Sequence, residues 1–266
     1  MVKEPLTQRT HRAGAMTFRT SLSRGSSASI FVLVHGIGMS HRYLMRLHRA
    51  LRAHGTVVSV DLPGFGGLPK PSHDVDVTRM ADGLGTVIDE LGVGPAVLVG
   101  HSMGTQWVVE LAVRRPDLAR AVVTIGPVTD DRARTVWQQA AALTLDTLGE
   151  PPGANALVFG DYLRCGPVWY IRQLRHMLAY PIEDRVGVLD VPLLIVRGSR
   201  DPIAPRTWCR RLRTAANDAA LVEIPGRVHN AQHTAPRAVA SAILHNLASV
   251  TQHGPLPFAP AWRTAP

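Results

Sequence analysis

The chain alternates between short apolar runs and longer segments in which apolar residues recur at helical spacing. The run SIFVLVHG at 29–36 is continuously apolar, which is typical of a strand covered on both faces of a sheet. The segment RYLMRLHRAL at 42–51 has leucines three and four positions apart, as one face of a helix requires. The alternation continues to about residue 127 and predicts an α/β protein with a doubly wound, mostly parallel sheet.

The alternation stops between residues 128 and 188. This stretch contains no strong strand pattern, but it includes two helical segments, at 130–148 and 168–178, that are separated by proline and glycine turns. Strand and helix patterns resume with VPLLIVRG at 191–198. We therefore expect residues 128–188 to form a helical lid that is inserted into the sheet domain.

The insertion divides the chain into four expected regions. Residues 1–127 and 189–250 are expected to form the core, with the lid between them. The proline-rich residues 251–266 are expected to be an irregular tail. The first 15 residues are polar, and we expect them to be loosely held.

Composition and charge narrow the function classes. The 266 residues are 45% hydrophobic and 18% charged, which is ordinary for a globular protein, and the net charge is +9. The basic residues are scattered without a long run, which favours a solvated surface over a nucleic-acid partner. Cys165 and Cys209 lack metal-ligand spacing and are expected to be reduced thiols. We see no signal peptide or apolar stretch of roughly 20 residues, so we expect a cytoplasmic protein without stable membrane insertion.

Candidate chemistry lies where the predicted strands end. The pair His35-Gly36, Ser102, Asp201 and His229 each follow a predicted strand, and open α/β sheets bind ligands beyond these carboxyl ends. A serine hydroxyl becomes a nucleophile only when a base takes its proton and a third group orients that base. The clustering predicts a nucleophilic site.

The segment GHSMG at 100–104 has a serine between two glycines at a strand-to-helix junction. In G-x-S-x-G this turn is so tight that the flanking residues must be small, which leaves the serine exposed. The backbone N–H of Met103 can then donate to an oxyanion, and we expect the N–H of Ile37, in the earlier loop HGIG, to be the second donor.

Five ordered segments carry a resemblance to a known family: HGIG, DLPGFG, GHSMG, GSRDPIAP and GRVH. With these segments the chain resembles the α/β-hydrolase superfamily from Met16 to Val250. The resemblance implies a Ser-Asp-His triad in that chain order, which Ser102, Asp201 and His229 match. It implies neither a metal nor an organic cofactor.

Several assignments have alternatives. Asp201 fits a turn or helix-capping role as well as that of the catalytic acid, and Asp130 and Asp131 are rival acids because they follow another strand. His233 competes with His229 as the base.

Nearby polar residues have structural explanations. We expect His35 to support the oxyanion loop, His101 to pack away from the nucleophile and Asp61 to fix its loop. Two positions depart from the family pattern: Gly67 stands where a serine or threonine is common, and Thr105 replaces a frequent third glycine.

The predicted lid is rich in aromatic residues although the chain as a whole has few, which suggests an apolar ligand. The candidate pocket residues are Met39, Trp137, Phe159, Trp169, Tyr170 and Met177, although single residues of these types at helical spacing more often belong to the core.

These observations predict a serine hydrolase that cleaves an ester or related acyl bond of a small, mostly apolar substrate. The same triad is also compatible with hydrolysis of a C–C bond, thioester or lactone, or with perhydrolysis. A non-catalytic, ligand-binding member of the fold is the alternative from another class. The sequence does not indicate an oligomeric state.

Overall fold

The computed structural model describes residues 6–130 and 160–252. Its centre is an eight-stranded sheet in the order β1-β2-β4-β3-β5-β6-β7-β8, parallel from β4 to β8 and antiparallel at the β1 and β2 edge. The prediction of a mostly parallel α/β sheet is confirmed. The strands are β1 (Thr7–Ala13), β2 (Met16–Ser23), β3 (Ile30–Val34), β4 (Thr56–Asp61), β5 (Ala96–His101), β6 (Ala119–Ile125), β7 (Leu193–Gly198) and β8 (Ala219–Ile224).

Helices cover both faces of the sheet. One face packs against α2, α3, α4, α5 and α6, and the other against α1, α7 and α8. Single 3-10 turns follow α1 and α3. Besides a short helix at 160–165, the described helices are α1 (His41–Leu51), α2 (Val77–Leu91), α3 (Gly104–Arg114), α4 (Pro167–Ala179), α5 (Ile182–Val186), α6 (Arg206–Ala215), α7 (Ala231–Thr234) and α8 (Pro236–Gln252).

Strand β3 shows why the central strands are continuously apolar. Val32 and Val34 point into the core on the α3 side, whereas Phe31 and Leu33 point into the core on the α1 side. Because successive side chains of a strand alternate between faces, a strand buried on both faces has no polar position. The strand therefore lies deep in the molecule and delivers the loop after Val34 to the carboxyl edge of the sheet.

The expectation that the first 15 residues are loosely held is wrong for Thr7–Ala13. These residues form β1, which pairs in register with Met16–Ser23 through a turn at Gly14, where φ is +59°. Most side chains of β1 are exposed, so the strand has no hydrophobic pattern. Its stability comes from backbone hydrogen bonds, which do not depend on side-chain polarity.

The described part of the expected lid is helical. Residues 160–165 form a short helix, and α4 and α5 follow it. The Gln173 side chain in α4 donates to the carbonyl of Val75 at 2.8 Å, and Tyr180 donates to Glu110 at 2.9 Å. Residues 131–159 lie outside the described residues. At the other end α8 continues to Gln252, and residues 253–266 likewise fall outside the description.

Among residues 6–130 and 160–252, no helix combines the length and the apolar character needed to cross a membrane.

Candidate active site

Ser102 occupies a tight turn between β5 and α3. Its φ is +55°, a left-handed conformation that costs a non-glycine residue about 1–3 kcal/mol. The turn is held because the Ser102 amide donates to the Ile125 carbonyl at 3.0 Å, while the Ser102 carbonyl accepts from the Thr105 amide at 3.0 Å. The Thr105 hydroxyl donates to the same carbonyl at 2.6 Å, so the departure from a third glycine adds a hydrogen bond to the turn.

Close backbone contacts explain the two glycines around Ser102. A Cβ at Gly100 would lie 2.3 Å from the carbonyl oxygen of Gly104, and a Cβ at Gly104 would lie 2.5 Å from that of Val34. Gly36 in the preceding loop is equally constrained, because its Cβ would lie 2.8 Å from the Cβ of Ser102. The elbow and the loop after β3 therefore touch through positions without side chains.

Asp201 and His229 are brought together beyond β7 and β8. Nδ1 of His229 lies 3.0 Å from Oδ2 of Asp201, and both residues are buried. The other carboxylate oxygen accepts from the amides of Ile203 at 2.8 Å and Ala204 at 3.0 Å. Burial opposes ionisation, but the contact with His229 and the two amides outweigh it, so the pKa of Asp201 lies below its ordinary value. An ionised Asp201 accepts a hydrogen bond from Nδ1–H, which leaves the lone pair of a neutral His229 on Nε2.

Gly126, directly after β6, lies against the side chains of Asp201 and His229. Its φ is +59°, and a Cβ there would lie 2.8 Å from both Cε1 and Nδ1 of His229 and 3.2 Å from Oδ2 of Asp201. No sequence pattern indicated this contact, since one glycine after a strand resembles any turn.

The rival residues have other partners. Asp130 forms an ion pair with Arg211, and Asp131 lies outside the described residues. The ring of His233 stacks on Tyr43 at 5.2 Å, and its Nδ1 lies 3.3 Å from the Tyr43 carbonyl oxygen. Neither Asp130 nor His233 takes the place of Asp201 or His229 in their hydrogen bond.

His101 packs between two rings. Its centroid lies 5.6 Å from Tyr43 and 4.9 Å from His229, and its Nε2 is 3.3 Å from the His229 carbonyl oxygen. Burial, followed by the charge of His229, lowers the pKa of His101 well below its ordinary value. His101 is therefore a neutral neighbour of the base at physiological pH.

The two expected oxyanion donors border the elbow. Met103 follows Ser102 directly, and Ile37 follows Gly36. Within the described residues, neither the Ile37 amide nor the Met103 amide donates a hydrogen bond to another residue. An oxyanion hole needs such uncommitted backbone N–H groups next to the nucleophile.

His35 supports this loop from below. Its Nε2 accepts from the Leu62 amide at 3.2 Å, so the ring proton lies on Nδ1 and is donated to the Gly36 carbonyl at 2.8 Å. Complete burial lowers the pKa of His35 and keeps the ring neutral. His35 thus links the loop after β3 to the loop after β4.

Asp61 fixes the start of α1. It is fully buried, accepts from the His41 amide at 2.5 Å and from Arg19 Nε at 2.8 Å, and contacts His41 Nδ1 at 2.7 Å. Burial opposes ionisation of Asp61, but the contacts with His41 dominate and its pKa lies below the ordinary value. The carboxylate is structural.

Four of the six candidate pocket residues lie within the described part of the chain. Met39 and Met177 are buried, and the Met177 carbonyl accepts from Gln106 at 2.9 Å. Trp169 packs against Phe65, with centroids 6.3 Å apart, and Tyr170 packs against Tyr162 at 5.4 Å. Trp137 and Phe159 lie outside the described residues.

Arg197, in β7, holds the turn that carries Asp201. It is buried, and it donates to the carbonyls of Ala204 at 2.7 Å and Asp201 at 3.2 Å while pairing with Glu223 at 2.7 Å. This role was not predicted from the sequence. The available signal was a charged residue at the end of an otherwise apolar strand, which requires a partner when buried.

Within the described residues, no group of three or more His, Cys, Asp or Glu side chains is arranged to hold a metal ion.

Comparison with known proteins agrees with this architecture. The model of the alpha/beta hydrolase family matches residues 31–242. The chain is 32% identical over 230 residues to (E)-2-((N-methylformamido)methylene)succinate hydrolase from Acinetobacter baylyi, an alignment covering 80% of this chain and 88% of that protein. It is 26% identical to a pimeloyl-[acyl-carrier protein] methyl ester esterase from Neisseria meningitidis serogroup B, over 74% of this chain and 84% of the esterase.

A solved structure has the same fold. The crystal structure of E-2-(acetamidomethylene)succinate hydrolase superposes with a TM-score of 0.76 at 22% identity, covering 92% of this chain and all of that chain. Together with the family match over most of the sequence, these similarities show that the chain belongs to the alpha/beta hydrolase family and is a hydrolytic enzyme.

Proposed function

We propose that the protein is a serine hydrolase that cleaves an ester or related acyl bond of a small molecule through Ser102, His229 and Asp201. The observation that carries the proposal is the 3.0 Å contact between Asp201 and His229, with the His101-Ser102 elbow packed beside the histidine ring. A strained, half-buried serine whose neighbour His101 packs on an acid-oriented imidazole supports the arrangement that nucleophilic acyl transfer requires.

The proposed reaction has two half-reactions. His229 Nε2 takes the proton of Ser102 as Oγ bonds to the substrate carbonyl carbon, and the oxyanion receives hydrogen bonds from the Ile37 and Met103 amides. Collapse breaks the bond to the leaving group, which accepts the proton from His229, and an acyl-enzyme remains. A water then gives a proton to His229 and attacks the acyl carbon, after which Ser102 leaves with that proton and the acid is released.

Asp201 keeps its negative charge throughout this cycle. It fixes the tautomer that has the basic lone pair on Nε2, and it stabilises the imidazolium that forms in each half-reaction. The depressed pKa of Asp201 supports this role, because the carboxylate stays ionised at neutral pH. The amides of Ile203 and Ala204 hold the carboxylate in place, and Arg197 holds the backbone carbonyl of Asp201.

The substrate class is proposed from the apolar residues of the elbow and of the loop after β3, and the reaction class from the relatives. The side chains of Ile37, Met39 and Met103 next to the elbow are apolar, which favours a mostly apolar acyl group. The relatives are named for hydrolysis of substituted methylenesuccinates and of a pimeloyl-[acyl-carrier protein] methyl ester, which supports hydrolysis of an acyl bond. We further propose that residues 128–188 act as a lid, supported by the three helices between 160 and 186.

The test is hydrolysis of short p-nitrophenyl esters together with labelling by a fluorophosphonate probe. Ser102→Ala should abolish labelling and lower kcat by about 10⁴-fold or more, because the nucleophile acts only in concert with its base. Ser241→Ala, which changes an exposed serine of α8, is the matched control and should retain both. Labelling that persists in Ser102→Ala contradicts the proposal, and a wild-type protein that is neither labelled nor active supports a ligand-binding role. A panel of thioesters, lactones and methyl esters then defines the bond type.

A further inference from the structure

Ser40 ends the loop that carries Ile37, and its hydroxyl is used in an unusual way. Ser40 is the N-cap of α1, yet its side chain makes no capping hydrogen bond. Asp61 takes over that task by accepting from the His41 amide. The Ser40 hydroxyl instead donates to Oδ2 of Asp161 at 2.5 Å, across 121 positions of sequence. Serine is a common N-cap residue, but the side chain of Ser40 instead contacts the helix at 160–165.

Asp161 depends on this contact. Its side chain is only 1% exposed, and a carboxylate so deeply buried is costly unless each oxygen accepts hydrogen bonds. One oxygen accepts from Ser40, and the other from Arg164 Nη1 at 3.2 Å, whose side chain is 46% exposed. The hydroxyl of Ser40 is thus the buried partner of this charge, and Arg164 is the solvent-facing one.

The neighbouring residue makes a second contact with the same loop. Gly38 has φ +73°, and a Cβ there would lie 2.3 Å from Cε1 of Tyr162. Tyr162 in turn packs edge-to-face on Tyr170 in α4 at 5.4 Å. The ring of Tyr162 therefore lies directly on the backbone of the turn, which is closed by a hydrogen bond of 3.2 Å from the Met39 amide to the Gly36 carbonyl.

These contacts bracket Ile37. Gly36 on one side abuts Ser102, while Gly38 and Ser40 on the other side abut Tyr162 and Asp161. We infer that Asp161 is a positioning residue for the oxyanion hole, which acts through Ser40 to hold the Ile37 amide in place beside Ser102. The inference rests on the proposed function, since it concerns the proposed oxyanion donor. Asp161 itself touches neither the proposed nucleophile nor its base among the described contacts.

The experiment is a double-mutant cycle between the two partners. We expect Ser40→Ala to lower kcat for a p-nitrophenyl ester by about ten-fold, with KM changed less than about two-fold, because a misplaced donor affects mainly the transition state. Asp161→Asn should lower kcat by a smaller factor, since the amide oxygen still accepts. In the Ser40→Ala background, Asp161→Asn should lower kcat no further, because the coupling is already lost. Ser40→Thr retains the hydroxyl and should restore kcat.

A trifluoromethyl ketone distinguishes oxyanion positioning from general support. It forms a tetrahedral oxyanion on the serine, so its inhibition constant should weaken by the same factor as kcat falls. Asp74→Asn is the matched control: Asp74 forms an ion pair with His176 in α4 at 2.9 Å, and its described contacts do not include residues 36–40. This control should retain kcat.

Additive effects in the cycle, or a rise in KM with kcat unchanged, overturn the inference. If Ser40→Ala does not fold, the isosteric Asp161→Asn decides the question, and a kcat equal to that of the wild type overturns the inference. Ser102→Ala separates this failure from that of the proposed function. An active Ser102→Ala refutes the nucleophile itself, whereas an inactive one with unaffected Ser40 and Asp161 variants refutes only the positioning role.

Discussion

At Gly126 a hydrogen atom occupies the place of a side chain, and both members of the acid–base pair lie against it. Strand β6 runs between β5, which leads to Ser102, and β7, which leads to Asp201. The residue after β6 is therefore central to the site. Its amide donates to the Val196 carbonyl at 2.8 Å, which fixes the backbone on which the His229 ring rests.

Replacing this hydrogen should displace the proposed base. Gly126→Ala places a methyl group 2.8 Å from two atoms of the His229 ring, so we expect kcat to fall by about 100-fold, as for other misplacements at a reacting centre. Stability should fall by about 1–3 kcal/mol because φ is positive. Ester hydrolysis and urea unfolding measure the two effects.

Gly14→Ala separates strain from contact. Gly14 has the same φ of +59°, but no heavy atom lies within 4 Å of the point that a Cβ would occupy, so this variant should lose stability and keep kcat. If both alanine variants lose activity equally, contact with His229 is not the cause.

At the scale of single elements, Asp61 and its partners Arg19 and His41 join two strands to a helix. Arg19 of β2 and His41 of α1 meet the carboxylate at the end of β4, and the side chain of Asp61 is fully buried. The hydrogen bonds of Asp61 orient the start of α1. The loop that contains Ile37 directly precedes this helix. Loss of the Asp61 carboxylate should therefore reduce stability more than loss of a surface ion pair would.

We expect Asp61→Asn to lower the free energy of unfolding at pH 7 by about 3 kcal/mol, because Arg19 loses a buried counter-charge and the His41 amide loses a charged acceptor. The folded pKa lies below the ordinary value of 3.8, so the stabilisation is present above pH 3.8 and is lost as the pH falls through the lower folded pKa. The difference in the free energy of unfolding between the wild type and Asp61→Asn should therefore become smaller as the pH falls below 3.8.

Urea titrations from pH 7 to pH 2.5 measure this difference. Asp218→Asn, at an exposed position before β8, serves as the control and should remain close to wild type at pH 7. A gap between the wild type and Asp61→Asn that does not change with pH would show that the lost contribution is not that of the ionised carboxylate.

The local sequence predicted the strands and helices but not the side-chain contacts between them. The central strands were predictable because burial on both faces leaves a continuous apolar run, and the elbow because only glycine fits its contacts. Ser40 and Asp161 lie 121 positions apart, and nothing in either segment indicates the other. Arg197 was visible as an anomaly, but its partners depend on the geometry of the turn after β7.

At the scale of the whole molecule, the basic residues that give the net charge of +9 are scattered along the sequence without a long run. Many of the basic side chains form ion pairs, including Arg114 with Asp82, Arg115 with Asp89 and Asp117, and Arg185 with Glu110. A charge spread in this way gives weak attraction to any polyanion without a defined binding surface.

We therefore expect no binding of duplex DNA near 0.15 M salt, and only weak binding at low salt that declines steeply as salt is added. Fluorescence anisotropy with a labelled duplex measures this. Binding that persists at physiological salt would contradict the expectation and would indicate a basic surface with a nucleic-acid partner.

The β1 strand has a consequence for how molecules of this protein meet one another. A sheet edge with free backbone groups invites strand addition from a neighbouring chain, and charged edge strands prevent it. The Thr7–Ala13 strand covers β2, which contributes Phe18 and Leu22 to the interior, and turns Arg9 and other polar side chains toward water. The segment without a hydrophobic pattern thus forms one of the two edges of the sheet and presents polar side chains there, while β8 forms the other edge.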